Sequence, residues 1–405
     1  MYNTIYPTLQ KLQFNGSLYI ETRNNESLSL TLGYKDLDNY ISITEHTLFD
    51  IASLSKMYTA VMILQLIETK AINLEDKLTK WFNTITYKNV TIEQLLTHTS
   101  GIPEYIGNPS VTVIEEILHT KEPYFPAGCG SFYSNTNYVL LAKIIEDVSK
   151  LSYEDCLHKM IVAPLHLTHT TTKPSAEQIA VGRLFDYTNR EYIAVTDDPI
   201  LHKHEGFYGD GGIYSTAKEI AQFLKGFIQG KLVSPELVKS ALTPSSLSNN
   251  YGYGFVIQDD SFGHSGGEIG YSAHCLYSLP NEKLIILLTN EEISPMYEQQ
   301  LSFLTFPQNK EKPIAPKHPT IMGINTTDGI EGTYQLTDDY QTCFTVSRIV
   351  DHLIITFDDQ PATHLFKIEP NLYWIRNTMS FINFHDMVFI DEGIEVPLNK
   401  HLITS

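Results

Sequence analysis

The stretch Phe306–Pro319 carries prolines at 307, 313, 316 and 319. Proline fixes its own φ, removes a backbone donor and drives the residue before it out of the helical region, so neither a helix nor an interior strand survives that spacing. The segment, taken as 306–328, reads as an extended linker that leaves each flank to find its own core. Residues 1–305 are enough for one large domain, whereas 329–405 have room only for a small one.

Behind the linker the pattern is all β. Runs of apolar and aromatic residues begin near Thr333, Cys343, Leu353, His364, Leu372, Ser380 and Met387, with Asp, Asn, Gly and Pro between them. Such short, evenly spaced strands predict a barrel or a sandwich. In front of the linker, Gly16–Tyr34 alternates in the strand period around a turn at Asn24, Asn25 and Glu26. Met57, Ala60, Val61, Leu64 and Ile67 then fall at helical spacing over Ser55–Glu68, and Thr91 with Gln94 forms a capping-box pattern. Helices are also predicted over 136–149, 153–162, 217–229 and 235–242, and strands over Tyr253–Gln258, Cys275–Leu279 and Leu284–Thr289. Strands at both ends with helices between them predict an α+β domain whose antiparallel sheet is assembled from the two chain ends.

The 28 Lys and Arg against 47 Asp and Glu leave a formal charge of −19. Nucleic-acid affinity rests on cations that neutralise phosphates, so no nucleic-acid partner is expected. No window offers the ~18 uninterrupted apolar residues of a membrane span. Cys129, Cys156, Cys275 and Cys343 lie far apart with no C-x-x-C pair, so neither a redox motif nor a metal site is indicated. The first residues, Met1 to Pro7, lack the basic and apolar regions of a cleaved signal, and a cytoplasmic location is the expectation.

Three motifs carry possible chemistry. Ser53-x-x-Lys56 opens the first long predicted helix, and a spacing of three puts both side chains on one face. A serine hydroxyl needs a base to take its proton, and a desolvated lysine is one. Tyr133-x-Asn135 precedes another helix; a phenol can relay a proton, and an amide can hold a substrate carbonyl or the lysine. His264-Ser265-Gly266-Gly267 lies between two predicted strands, where the first residue can bind a substrate carboxylate and the glycines let a backbone N–H approach an acyl group. Each motif has a decoy: Ser215 with Lys218, where Thr216 and Glu219 suffice as a helix cap, Tyr187 with Asn189, and His204 with Gly206. Gly263-x-Ser265-x-Gly267 also matches the nucleophile elbow of α/β-hydrolases, but the residues after Gly267 read as a β-hairpin rather than a helix.

Taken in order, Ser53-x-x-Lys56, Tyr133-x-Asn135 and His264-x-Gly266 resemble the three active-site boxes of the serine β-lactamase and penicillin-binding-protein superfamily. Leu95–Pro103, Phe125–Gly128, Ala163–Leu167 and Gly209–Thr216 look like the class C-like branch, which contains DD-peptidases, D-amino-acid peptidases and esterases. The resemblance implies a β-lactamase/transpeptidase-like fold with flanking helices and an all-α insertion. It implies Ser53 as acylated nucleophile, Lys56 and Tyr133 as proton-transfer partners, and Asn135 as a substrate contact. The backbone N–H groups of Ser53 and Gly267 would form the oxyanion hole, with His264, Ser265 and Gly266 along the substrate. His264 stands where β-lactamases of this branch usually have lysine, which favours peptidase or esterase work over β-lactam hydrolysis. The implied activity is hydrolysis of an amide or ester of a small-molecule or peptide substrate through an acyl-enzyme, without metal or cofactor. A non-hydrolytic acylated binder or sensor is the alternative. From Gly332 on, the chain is similar to the lipocalin-like domains attached to some members; a structural or oligomerising module without chemistry is the expectation, with a substrate-gating role as the alternative.

Overall fold

The computed structural model describes residues 2–24, 26–105, 111–119, 122–186, 191–195, 209–248, 250–291, 329–337, 343–349, 352–357, 363–375, 380–391 and 394–401. The chain forms two compact units, Met1–Glu292 and Ile293–Ser405. The linker expected over 306–328 lies outside the described residues.

In the first unit the elements run α1 (Tyr2–Lys11), β1 (Gly16–Glu21), β2 (Ser27–Leu32), β3 (Tyr34–Asp36), β4 (Ile41–Ser42), β5 (Phe49–Asp50), α2 (Ser55–Glu68), α3 (Ile92–Leu96), α4 (Val113–His119), α5 (Asn135–Ser149) and α6 (Tyr153–Leu157). They continue with β6 (Arg183–Asp186), β7 (Glu191–Ala194), β8 (Tyr214–Ser215), α7 (Ala217–Ile228), α8 (Pro235–Ala241), β9 (Val256–Gln258), β10 (Ser261–Glu268), β11 (Tyr271–Ser278) and β12 (Lys283–Thr289). The main sheet has the order β2-β1-β12-β11-β10-β9, and each neighbouring pair is antiparallel. Gly16 pairs with Thr289 and Glu21 with Leu284, so the first strand of the unit lies beside its last. That is the expected sheet built from both ends, and the described chain from α3 to α6 is the helical insertion.

Helix α2 explains how the layers are held. A helix that is apolar all round belongs inside a domain, and every residue of α2 is buried except Gln65, Ile67 and Glu68. Its Met57 meets Cys275 of β11, while its other faces join the core formed with Leu140, Leu141 and Ile144 of α5 and Phe223 of α7. The predicted bounds of α2 match, and the Thr91 capping box is made in both directions. The stretch 153–162 begins as α6 and ends in a π-turn over His158–Val162.

Three expectations change. Helix α1 was not foreseen because Pro7 lies within it, yet Ile5, Leu9 and Leu12 recur on one buried face. The strand expected from Tyr253 is shorter, beginning at Val256. His264–Gly267 is not a connection between strands but the middle of β10, paired residue for residue with β11.

The second unit is a closed antiparallel barrel of β13 (Gly332–Leu336), β14 (Cys343–Ile349), β15 (His352–Phe357), β16 (Thr363–Lys367), β17 (Leu372–Ile375), β18 (Phe381–Asn383), β19 (Val388–Asp391) and β20 (Ile394–His401). Its inward residues, among them Tyr334, Phe344, Ile355, Tyr373, Ile382 and Leu398, pack as one apolar core. Strand β20 was not foreseen: Pro397 demotes the run, yet it closes the barrel by pairing with both β13 and β19.

Candidate active site

Ser53 lies in a 3₁₀ turn, Ala52–Leu54, that feeds directly into α2. The turn enters through Ala52 at φ 46°, a left-handed conformation an alanine adopts only under constraint. The constraint is visible: the Ala52 N–H is held by Asp50 Oδ1 at 2.9 Å, and its Cβ packs against β10 at Gly266. One turn on, Lys56 is fully buried. Its Nζ lies 2.9 Å from Ser53 Oγ, 2.6 Å from Asn135 Oδ1 and 2.9 Å from the Asp210 carbonyl. An ammonium would spend its three hydrogens on these partners. A neutral amine can donate to Asn135 and Asp210 while its lone pair faces the serine hydroxyl.

Asn135, the first residue of α5, is oriented by Glu104. Its backbone N–H and its Nδ2 reach the two carboxylate oxygens at 2.6 and 2.5 Å, which turns Oδ1 toward Lys56. Tyr105 Oη donates to Asp210 Oδ2 at 2.9 Å. Burial holds the Glu104 and Asp210 carboxyls above the usual carboxylate range; Asp210 pushes Glu104 further, while the charge of Lys56 opposes the rise in both. Tyr133 is 43 % exposed, and its ring lies beneath the Lys56 nitrogen, 4.9 Å from ring centroid to Nζ. Its phenol makes no hydrogen bond among the described residues.

The strand that carries the third motif meets the turn of Ser53 edge-on. Strand β9 pairs only with Ser261–Gly263, so from His264 onward that edge of β10 has no partner strand among the described residues. A Cβ at Gly266 would stand 2.8 Å from the Ser53 nitrogen and 2.9 Å from the Ile51 carbonyl, whereas one at Gly267 would meet nothing within 4 Å. Glycine at 266 is what permits the approach, and the site opens beside 267.

His264, which the resemblance sets along the substrate, has both ring nitrogens engaged within the protein. It is 4 % exposed, with Nε2 2.9 Å from Tyr251 Oη and Nδ1 2.5 Å from the Ser265 carbonyl. The carbonyl can only accept, so Nδ1 carries the proton and Nε2 accepts from the tyrosine. Burial, reinforced by the charge of Lys56, pushes the imidazole down to about 3. Ser265 is exposed and pairs across the sheet with His274 of β11. Because it sits in mid-strand, the nucleophile-elbow alternative fails: there is no strand-to-helix turn.

The structure therefore brings Ser53, Lys56, Tyr133, Asn135 and Gly266 together, leaves the His264 side chain engaged with Tyr251 and the Ser265 carbonyl, and leaves Ser265 exposed on β10. Of the decoys, Ser215 is buried against Thr170 and Thr216 caps α7 by accepting from the Glu219 N–H. Tyr187, Asn189, His204 and Gly206 lie outside the described residues. Sequence reasoning missed Glu104, Asp210 and Tyr251. A signal existed for two of them, since Glu104 directly follows Leu95–Pro103 and Asp210 interrupts the glycines 209, 211 and 212.

The beta-lactamase family model matches residues 3–307. The chain is 29 % identical to penicillin-binding protein 4* of Bacillus subtilis, over 92 % of this chain and 90 % of that protein. It is 28 % identical to the teichoic acid D-alanine hydrolase of Staphylococcus aureus, over 71 % of this chain and 72 % of that protein. The crystal structure of FmtA from Staphylococcus aureus superposes with a TM-score of 0.67 at 26 % identity, covering 76 % of this chain and 87 % of FmtA.

Proposed function

From the premise that the chain belongs to the beta-lactamase family and is a serine hydrolase, we propose that Ser53 is its nucleophile and that it cleaves a small ester or amide through an acyl-enzyme. The observation that carries the reading is Lys56, fully buried with Nζ 2.9 Å from Ser53 Oγ. Lys56 takes the hydroxyl proton as the Ser53 Oγ–acyl bond forms. The backbone N–H groups of Ser53 and Gly267 hold the developing oxyanion, worth roughly 10²–10³ in rate per donor. Tyr133, exposed at the mouth of the site, passes the proton to the departing alcohol or amine. Water then attacks the acyl-enzyme; its one proton passes through Lys56 to the Ser53 oxygen as the Oγ–acyl bond breaks, which releases the acid and returns Lys56 to the free amine. Asn135, fixed by Glu104, holds Lys56 and contacts the acyl chain.

The engaged, neutral His264 favours substrates that need no carboxylate anchor, such as aminoacyl esters, over β-lactams. A relative named as a teichoic acid D-alanine hydrolase accords with an aminoacyl substrate. The test is labelling with a fluorophosphonate followed by peptide mapping, alongside turnover of p-nitrophenyl esters, D-amino-acid amides and a chromogenic cephalosporin. The expected adduct is on Ser53, abolished in S53A, with esters turned over fastest. An adduct on Ser265 or Ser215 overturns the assignment, and stable acylation of Ser53 without turnover turns the protein into a binder.

A further inference from the structure

The chain leaves helix α3 through His98, which is 2 % exposed and left-handed at φ 58°. Three of its atoms or groups grip the segment that carries Tyr133 and Asn135. Its carbonyl accepts the Phe132 N–H at 2.9 Å. Its Nδ1 lies 3.2 Å from the Ser134 nitrogen and 3.1 Å from Asn137 Nδ2. Its ring lies against Tyr133, with centroids 4.3 Å apart, and also meets Tyr251 and Tyr138.

Two donors converge on Nδ1, so that nitrogen is bare and the proton is on Nε2. Nε2 is buried and has no hydrogen-bond partner among the described residues. A buried, unpaired N–H opposes folding, and a phenylalanine would fill the same aromatic niche without it. What imidazole offers over phenyl is the acceptor at Nδ1. The backbone N–H of Ser134 sits between the two site residues, so fixing it fixes the directions in which Tyr133 and Asn135 leave the chain.

We propose that His98 is a positioning residue: its Nδ1 lone pair, through the Ser134 N–H and the Asn137 amide, sets the ring of Tyr133 and the amide of Asn135 against Lys56. The ring packing is secondary. A displacement of about 1 Å in groups that align a reacting pair can cost on the order of 10²-fold in rate.

Two variants separate the acceptor from the ring. H98N suits a left-handed φ and places an amide oxygen near Nδ1, keeping the acceptor while losing the ring. H98F keeps the ring and loses the acceptor. The readout is the second-order rate of Ser53 labelling by a fluorophosphonate, with near-ultraviolet circular dichroism reporting the packing of the aromatic cluster. H98F is expected to lose about 10²-fold and H98N to stay within about tenfold of wild type. The reverse order, or equal losses in both, overturns the proposal, since packing alone then explains the histidine. If H98F does not reach native circular dichroism, H98N decides by itself: retention within tenfold supports the acceptor role. A larger loss, or failure of H98N to fold, refutes it. The inference rests on Ser53 as nucleophile, which adduct mapping on the wild-type protein tests separately.

Discussion

His264 gives the most direct test of how the site recognises its substrate, with pH as the perturbation. An imidazole at its ordinary value near 6.5 is almost fully cationic at pH 5 and about 3 % cationic at pH 8, a change of roughly 30-fold in the charged form. Burial and Lys56 push the His264 ring down to about 3, so at pH 5 only about one molecule in a hundred carries the charge. The sign is fixed: raising pH would remove an attraction for a substrate carboxylate only if the ring titrated within the assayed range, and it has already lost its proton below that range. The assay is the ratio of kcat/KM for two p-nitrophenyl esters of equal length, one with a terminal carboxylate and one with a terminal amide, from pH 5 to 8. Taking the ratio cancels any titration that affects the chemistry of both, including that of groups around Ser53. A ratio flat within about threefold is expected. A ratio that falls by about 30-fold with an inflection near 6.5 would show a cationic His264 at the carboxylate and refute the buried, Tyr251-bound imidazole.

Two substitutions probe the geometry around Ser53. K56M removes the proton acceptor and leaves the Asn135 Oδ1 and the Asp210 carbonyl without their donor; labelling of Ser53 is expected to slow by about 10²–10⁴-fold, with about 1–3 kcal/mol lost per orphaned acceptor in denaturant unfolding, and labelling within tenfold of wild type would remove Lys56 as the base. G266A sets a Cβ 2.8 Å from the Ser53 nitrogen, so an overpacking loss of about 1–3 kcal/mol and slower labelling are expected. G267A, whose Cβ meets nothing within 4 Å, should leave the melting temperature within about 2 °C, and equal losses in the two variants would show that β10 does not approach the turn as described.

What the sequence disclosed depended on how local each determinant is. Helix α2 was legible to the residue because its apolar positions and its length lie in one continuous run, and Thr91 with Gln94 because a capping box closes within four residues. Strand β20 was obscured by Pro397, which is tolerated there without contributing a backbone N–H. The site divided along the same line. Ser53 and Lys56 share one helical face and could be paired from spacing alone. Glu104 acts on Asn135 across 31 positions and Tyr251 on His264 across 13, through contacts that exist only once the helices have packed on the sheet. The surroundings of His264 were out of reach for that reason: residue type supplies the ordinary imidazole value, but burial and the partner on each nitrogen shift it.

The neutrality of His264 and of His98 has one origin. Each ring is desolvated, and each feels the charge of Lys56. Desolvation, the larger cause, keeps both rings neutral while Lys56 is the free amine that accepts the serine proton, and once Lys56 is an ammonium a second buried cation beside it would be repelled, so both rings act through lone pairs and N–H groups. The carboxylates of Glu104 and Asp210 compensate Lys56 from the inner side of the site. Substrate selection must then come from hydrogen bonds along the free edge of β10 and from the space beside Gly267. A ligand whose affinity depends on a salt bridge from its own carboxylate has no side-chain cation among His264, Ser265 and Gly266 to form it with, because the one titratable ring there is buried and bonded at both nitrogens.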